Sequence, residues 1–436
     1  MGGLLDGVEM AKKNTAHKWQ FKARFRRHAF GWRSQPAIKR VKEAVSEIKK
    51  VARRDQVLGS EGAVSFLERV SPALENVDSS SGAIGTAVNR AIAELVKIIS
   101  TAPSDEGARE AWLERLFEAH AGDQIPYIEK LAEHWGELCV SPELASRWAD
   151  RLIHITRRVL SPDRERGEFF HGTTACLSAL FAACRYDELV ELLESERYWG
   201  YRRWAVKGMI AQGKRAEAIR YAESCRGPWA SDHEIDGFCE EVLLSSGLVD
   251  EAYERYGLQA NRAGTYLAWF RAVAKKYPHK EPAEILDDLV ELTPGEEGKW
   301  FAAAKSVKLF DKAVDLANRT PCSPQTLTRA ARDFAEKESG FAVEAGVTAL
   351  RWLAEGYGYE VTSVDVLDAY DFTMKAAENA GLGAETHSRI RGIVARNVPA
   401  GSFLNEVLRR RLARERRCAR RADASSSGRH GRSRPS

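Results

Sequence analysis

The sequence predicts an all-α fold, an α-solenoid of stacked helix pairs, on three observations. A degenerate motif, represented by "GKRAEAIRYAESC" at residues 213–225, recurs with a period of about 31 residues. Small residues stand at a fixed offset before most copies, and alternating runs of β-branched residues, which would indicate strands, are missing. Such self-similarity is typical of repeat proteins built from helical hairpins.

The copies of the motif align on one small or apolar residue each. Successive copies are separated by 29, 34, 31, 30 and 29 residues. Five of the six copies also carry a small residue seven positions upstream, which lets two helices approach closely. We call the aligned residues the anchors: Leu189, Ala218, Ala252, Ala283, Ala313 and Ala342.

Each anchor is predicted to lie on the second helix of a pair. Gly213 and Gly247 fit the turns between the two helices, because glycine adopts the left-handed conformation that ends many helices. The first helices are predicted at 168–184, 198–212, 231–246, 262–277, 295–308 and 323–338.

Two long runs carry a resemblance to a known family. They are "YPHKEPAEILDDLVELTPGEEGKWFAAAK" and "RTPCSPQTLTRAARDFAEKESGFAVEAGVTALRWLAEGYGYEVT". Over about 165–395 the chain resembles a family of uncharacterised bacterial helical-repeat proteins with a tetratricopeptide-like α-solenoid. The resemblance implies a right-handed superhelix and a bacterial cytoplasmic setting, and it carries over no functional residue.

Four regions follow from composition and periodicity. We expect a basic aromatic N-terminal arm at 1–35, an N-terminal helical region at 36–160 and tetratricopeptide-like repeats at 161–405. The Arg-rich tail at 406–436 ends in a stretch with almost no apolar residues, so we expect it to be disordered.

Charge is distributed unevenly along the chain. The net charge is only +4, but residues 12–54 hold 15 Lys or Arg against two Glu. Residues 407–436 hold 11 Arg against two acidic residues, so the region between the two basic ends is acidic. This asymmetry indicates arms that bind a polyanion or fold back onto the body.

The arm alternates aromatic and basic residues in "KWQFKARFRRHAFGWR". Three interpretations stay open: the arm docks on the acidic body, binds nucleic acid by stacking and phosphate contacts, or lies on an anionic membrane. The candidate polyanion-binding residues of the two ends are Lys18, Lys22, Arg24, Arg26, Arg27, Arg33, Arg409, Arg410 and Arg411.

Tryptophans concentrate on or just before the predicted first helices. Together with neighbouring arginines they can form a binding groove, since Trp, Tyr and Arg dominate binding hot spots. The alternative is that the rings pack between helices. The candidate groove residues are Trp199, Tyr201, Arg202, Arg203, Trp204, Trp229, Trp269 and Trp300.

Catalytic and cofactor motifs are missing from the sequence, so we expect no enzyme, no catalytic or metal-binding residue and no cofactor. A buried carboxylate or histidine pair in a cleft would favour an enzyme instead. The seven cysteines are predicted to be reduced and mostly buried.

No apolar run reaches the roughly 18 residues of a membrane span and no signal peptide is recognisable, so we expect a cytoplasmic protein without an integral membrane segment. We expect a scaffold that binds a protein or peptide on its concave face. The alternative is a nucleic-acid-binding repeat protein whose basic ends contact phosphates.

Overall fold

The computed structural model describes residues 17–161, 169–396 and 406–413. These residues form helices joined by short connections, and no strand occurs among them. The all-α prediction is therefore confirmed for this part of the chain. The chain divides into two compact units, Met1–Phe238 and Cys239–Ser436, and the predicted boundaries at 35/36 and 160/161 both lie within the first unit.

The first unit contains eleven complete helices in its described residues and the start of a twelfth, together with a 3₁₀ segment, Glu129–His134. Helices that follow each other in the chain pack as pairs. The helices are α1 (Gln20–Arg24), α2 (Ser34–Ala52), α3 (Gln56–Leu74), α4 (Ala83–Thr101), α5 (Glu106–Ala121), α6 (Trp135–Cys139), α7 (Pro142–Leu160), α8 (Thr173–Ala182), α9 (Tyr186–Leu192), α10 (Trp199–Ala211), α11 (Arg215–Ser224) and α12 (Asp232–Ser245), which continues into the second unit.

Polar side chains fix several helix ends of the first unit. Asp55 and Asp105 accept hydrogen bonds from backbone N–H groups in the first turns of α3 and α5, at 2.9 and 2.7 Å. At the C-terminal end of α4, the buried guanidinium of Arg109 donates hydrogen bonds to the carbonyl oxygens of Ile99 and Ala102, at 2.6 and 2.8 Å. These bonds satisfy backbone groups that a helix leaves unpaired at its ends.

The described part of the N-terminal arm packs on α2 and α3. Trp19, Phe21 and Phe25 are buried, and the backbone N–H groups of Gln20 and Phe21 donate to the Glu47 carboxylate at 2.7 and 3.1 Å. The aromatic rings belong to one hydrophobic cluster that runs from Trp19 to Ala205. Of the three interpretations of the arm, docking on the body holds for these aromatic residues.

The second unit continues the pattern of short paired helices. Its described residues also include a π-helical turn, Tyr253–Gly257, and a 3₁₀ segment, Glu297–Trp300. The helices are α13 (Val249–Ala252), α14 (Leu258–Ala260), α15 (Tyr266–Lys276), α16 (Pro282–Glu291), α17 (Phe301–Ser306), α18 (Phe310–Arg319), α19 (Pro324–Phe334), α20 (Ser339–Ala354), α21 (Ser363–Asn379), α22 (Gly383–Arg396) and α23 (406–413).

The helix pairs lie where the repeats predict them. The ranges predicted for the first helices contain α8, α10, α12, α15, α17 with its preceding 3₁₀ segment, and α19, although the helices are shorter than predicted. Residue 168, where the first range begins, lies outside the described residues. Five anchors are fully buried, whereas Ala283 is half-buried. The period and the superhelix that it implies stay predictions.

One turn recurs between paired helices. Gly213 and Gly247 have positive φ angles of 79° and 76°, as predicted, and Cys184 and Lys308 adopt the same conformation at 58° and 61°. The N–H group that follows each of these residues donates to a carbonyl oxygen in the last turn of the preceding helix, at 2.9 to 3.1 Å. The same left-handed turn therefore joins the two helices in each of four pairs.

The C-terminal tail departs from the prediction at its start. Residues 406–413 form α23, whose Leu408 and Leu412 are buried against Leu350, Tyr370 and Ile390. The expectation of disorder from residue 406 is therefore wrong for this segment, because two leucines four residues apart supply an apolar helix face. The remainder of the predicted tail, 414–436, lies outside the described residues.

The cysteines that the structure describes are free thiols. Five of the six described cysteines are buried, Cys184 is exposed, and none of the six forms a disulfide. Cys418 lies outside the described residues.

No helix in the described part of the chain combines the length and apolar character that crossing a membrane requires.

Candidate functional site

An open cleft of about 920 Å³ lies within the first unit. Its walls come from four places in the chain: the connection after α5 with the 3₁₀ segment, the start of α8, the start of α10, and the loop that leads into α12. Because these elements are far apart in the sequence, only the packing of the helix pairs brings them together.

Exposed aromatic side chains surround the cleft. Phe169, Tyr198 and Trp229 are 67%, 54% and 64% exposed. Tyr198 packs edge-to-face on Tyr201, with ring centroids 5.2 Å apart. Large apolar rings seldom remain in solvent as a group, so this rim is the most informative feature of the surface.

Buried contacts hold the rim in place. The buried carboxylate of Glu196 accepts hydrogen bonds from the backbone N–H groups of Arg197 and Tyr198, at 2.6 and 2.8 Å. A side chain on Gly200 would start 2.5 Å from the Tyr198 ring, so glycine is what allows the ring to fold over the start of α10. The Trp199 N–H group donates to the Trp229 carbonyl oxygen at 3.2 Å, which ties the loop before α12 to α10.

The cleft carries more carboxylates than cations. The Glu133 carboxylate is paired, because it accepts from Lys130 at 2.7 Å and from Arg203 at 2.8 Å. Burial alone would raise the pKa of Glu133, but the Lys130 hydrogen bond and the Arg203 charge lower it below its ordinary value. Glu129 and Glu234 are exposed to solvent. The ionisable carboxylates of the lining are Asp123, Glu129, Glu133 and Glu234, and the cations are Lys130 and Arg203.

Two histidines and one buried carboxylate, His120, His171 and Asp123, are part of the lining. The buried His120 ring places Nε2 3.1 Å from the His171 carbonyl oxygen, and burial lowers the His120 pKa. Asp123 accepts from the Ser71 hydroxyl and, at 2.7 Å, from the Ile128 N–H group, and burial raises the Asp123 pKa. Because both Asp123 oxygens are engaged, these contacts anchor the connection after α5.

Comparison with protein-family models and with curated proteins finds no match to this chain.

Part of the predicted groove lies in the cleft. Tyr201, Arg203 and Trp229 line it, and Trp199 contributes to its wall although it is only 2% exposed. Arg202 donates to the Tyr221 hydroxyl at 3.1 Å.

The other predicted groove tryptophans are core residues. Trp204 is 4% exposed, Trp269 3% and Trp300 0%. The last two belong to the second unit, where their ring centroids are 5.5 Å apart. The groove prediction is wrong for these three residues, because each indole fills space between helices and so buries a large apolar area.

None of the predicted polyanion-binding residues is among the residues that line the cleft. Lys18, Lys22, Arg26 and Arg33 are exposed on the arm. The remaining residues, apart from the exposed Arg409, are paired: Arg24 with Glu43 at 2.9 Å, Arg27 with Glu75 at 3.7 Å, Arg410 with Glu406, and Arg411 with Asp371 at 2.8 Å.

Proposed function

We propose that the protein is a non-enzymatic interaction protein whose first unit binds a basic, extended segment of a partner protein in the cleft. The observation that carries this proposal is the rim of three exposed aromatic side chains, Phe169, Tyr198 and Trp229, around an open cleft of about 920 Å³. Trp and Tyr are enriched among the few residues that carry most of the binding energy in protein interfaces.

The size and form of the cleft favour a peptide. Small-molecule sites enclose most of their ligand within about 300–1,000 Å³. This cleft is at the upper end of that range and is open to solvent. It can therefore hold an extended peptide segment whose two ends continue beyond the cleft. The exposed rings of Trp229 and Tyr198 then act as anchors for the bound segment.

The charge of the lining selects a basic segment. Exposed Glu129 and Glu234 offer carboxylates to Lys or Arg side chains of the partner. The exposed rings of Trp229 and Tyr198 add cation–π contacts, each worth about 0.5–1 kcal/mol at exposed sites. An acidic segment would meet the same carboxylates with repulsion.

Fluorescence anisotropy with the full chain tests the proposal. The probe is a labelled peptide of alternating Gly-Ser and Arg-Lys pairs, and its control carries Glu-Asp in place of Arg-Lys. We expect binding of the basic peptide alone, weakened about tenfold by Trp229→Ala, which corresponds to about 1.4 kcal/mol. The double variant Glu129→Gln/Glu234→Gln should also weaken it.

The matched control is Tyr359→Ala, because Tyr359 is 81% exposed in the second unit. This variant should leave binding unchanged. Equal binding of the two peptides, or equal effects of Trp229→Ala and Tyr359→Ala, would refute the cleft as the binding site.

Nucleic-acid binding by the arm is the second candidate function. The observation in its favour is Trp32, which is 72% exposed beside the exposed cation Arg33. An exposed indole can stack on a base while neighbouring cations meet phosphates. Binding of a labelled single-stranded RNA should then weaken on Trp32→Ala, and log K should fall by about 0.7 per log unit of salt for each phosphate contact. No effect of Trp32→Ala would exclude this role for the arm.

We further propose that the helix pairs are tetratricopeptide-like repeats of an α-solenoid, with the concave face as the binding surface. The support is the recurrence of one turn at Cys184, Gly213, Gly247 and Lys308. These residues are separated by 29, 34 and 61 residues, and the last interval is close to two repeats.

A further inference from the structure

A second groove lies on the first unit, between α2 and α4. It has a volume of about 930 Å³ and is lined by residues from Gln35 on α2 to Arg53, which directly follows α2, and by residues from Ala83 to Glu94 on α4. We propose that this groove binds the apolar face of an acidic amphipathic α-helix from a partner protein.

The floor of the groove is apolar and shallow. Val41 and Val45 of α2 form its base, with Ile38 half-buried beside them. On α4, Ala87 and Ala91 are four residues apart and therefore lie on one face of the helix. Ala91 is buried, whereas Ala87 is half-buried, so the short side chain of Ala87 leaves room in which a leucine or isoleucine side chain of another helix can insert.

The rim of the groove is basic. Glu94 is the one carboxylate among the lining residues that the structure describes, and it is already paired with Lys49 at 2.5 Å. The other four cations are exposed and so available to carboxylates of a partner. The lining cations are Lys42, Lys49, Lys50, Arg53 and Arg90.

Length and chemistry together favour a helix. At about 1.5 Å per residue, the wall from Gln35 to Arg53 is about 27 Å long and the wall from Ala83 to Glu94 is about 17 Å long, so both walls can contact about three turns of a partner helix. An amphipathic helix places apolar residues at i, i+3, i+4 and i+7 against such a floor and its charged residues at the rim. None of the described residues that line the groove is aromatic, so it lacks the stacking platform that single-stranded nucleic acid requires.

The groove is independent of the aromatic cleft. The cleft lining has an excess of carboxylates and exposed rings, whereas the groove has an excess of cations and an aliphatic floor. Their ligands therefore differ in charge, and either site can fail its test without affecting the other.

Anisotropy with the full chain tests the groove. The probe is a labelled helical peptide as long as α2, with Leu at the i, i+3, i+4 and i+7 positions and Glu on the remaining face. A matched peptide carries Lys in place of Glu. We expect saturable binding of the acidic peptide only, weakened about tenfold by Lys50→Glu/Arg53→Glu because charge reversal replaces attraction by repulsion.

Two further variants separate groove binding from general charge attraction. Ala87→Leu fills the floor without changing charge and should also weaken binding about tenfold. Arg69→Glu/Lys97→Glu reverses two exposed cations outside the groove lining and should change affinity less than twofold. Circular dichroism melting checks that each variant is folded.

Three results would overturn the proposal. The first is equal affinity for the acidic and basic helical peptides. The second is that Ala87→Leu, shown to be folded, binds the acidic peptide as the unmodified chain does. The third is that a single-stranded oligonucleotide or anionic phosphatidylserine vesicles bind in a manner sensitive to Lys50→Glu/Arg53→Glu while the acidic peptide does not.

Discussion

The Tyr277 hydroxyl donates a hydrogen bond of 2.6 Å to the Glu240 carboxylate inside the second unit. Both side chains are fully buried, and Asn261 and Lys276 also donate to this carboxylate, each at 2.6 Å. Burial, together with the hydrogen bond to Glu240, raises the Tyr277 pKa. A carboxylate without solvent is tolerated here because three donors satisfy it.

Removal of the Tyr277 hydroxyl should destabilise the second unit. Tyr277→Phe removes one of the two donors to Oε1 of the buried Glu240 carboxylate, and Asn261 remains as the other. A hydrogen bond to a charged group contributes about 1.5–3 kcal/mol, so we expect a loss of that size. Tyr359→Phe is the control, because Tyr359 is 81% exposed. Its free energy of unfolding should differ from that of the unmodified chain by less than about 0.5 kcal/mol. Urea unfolding followed by circular dichroism measures both. Equal midpoints for the two variants would show that the Tyr277–Glu240 bond contributes no net stability.

His120 should make the first unit less stable in weak acid. Burial holds the His120 pKa below its ordinary value of 6.5. There is therefore a pH range just below 6.5 in which His120 is neutral in the folded protein but protonated in the unfolded chain. The unfolded state then gains protons as pH falls through 6.5 and below, and the free energy of unfolding decreases by at most about 1.4 kcal/mol per pH unit.

The variant His120→Gln isolates this effect. The Gln amide can still donate to the His171 carbonyl oxygen but does not titrate. Asp123 acts in the opposite direction at lower pH, because its raised pKa makes the folded protein take up a proton first, and it remains present in both proteins. The stability advantage of the unmodified chain over His120→Gln should shrink between pH 7 and pH 5. A constant difference across that range would contradict a buried neutral His120.

The glycine-free copies of the recurrent turn predict a stabilising substitution. Lys308 has a φ of 61°, a conformation that costs a residue with a side chain about 1–2 kcal/mol. Lys308→Gly should therefore raise the free energy of unfolding of the second unit by about 1 kcal/mol. Lys275→Gly, at an exposed position within α15, should lower it by a similar amount. Destabilisation by both substitutions would show that the turn at Lys308 is not strained.

The all-α fold was predictable because apolar residues recur at helical spacing and strand patterns are missing. The spacing of the anchors places all six second helices, and glycine marks the turns at Gly213 and Gly247. Cys184 and Lys308 adopt the same turn without a glycine, so composition gives no signal there. The helix 406–413 was missed because its arginines dominate the local composition, although Leu408 and Leu412 are buried.

The site was less predictable because loops build it. Trp229 and Tyr201 were found from their residue types, but Phe169, Glu129 and Glu234 come from segments with no shared motif. Residue type alone also fails to separate Trp229, which is 64% exposed, from Trp300, which is buried. What separates them is the packing of neighbouring helices, and a single sequence does not report it.

Truncation of two tryptophans should therefore affect different properties: stability for Trp300 and peptide binding for Trp229. Trp300 is 0% exposed and its Nε1–H donates to the Thr293 hydroxyl at 2.8 Å. Trp300→Ala should cost about 3–5 kcal/mol of unfolding free energy. Trp229→Ala should change stability by less than about 0.5 kcal/mol while it weakens basic-peptide binding. The interpretation fails if Trp229→Ala destabilises as strongly as Trp300→Ala.

The segment 406–413 should contribute to folding of the second unit, although the sequence around it is rich in arginine. Leu408 is fully buried against Leu350 and Tyr370, so Leu408→Ala should cost about 2–5 kcal/mol. Arg409 lies on the same helix but is exposed, and Arg409→Ala should have almost no effect. Chemical unfolding and hydrogen exchange of α20 and α21 measure the difference. If both variants retain full stability, α23 does not hold the second unit together.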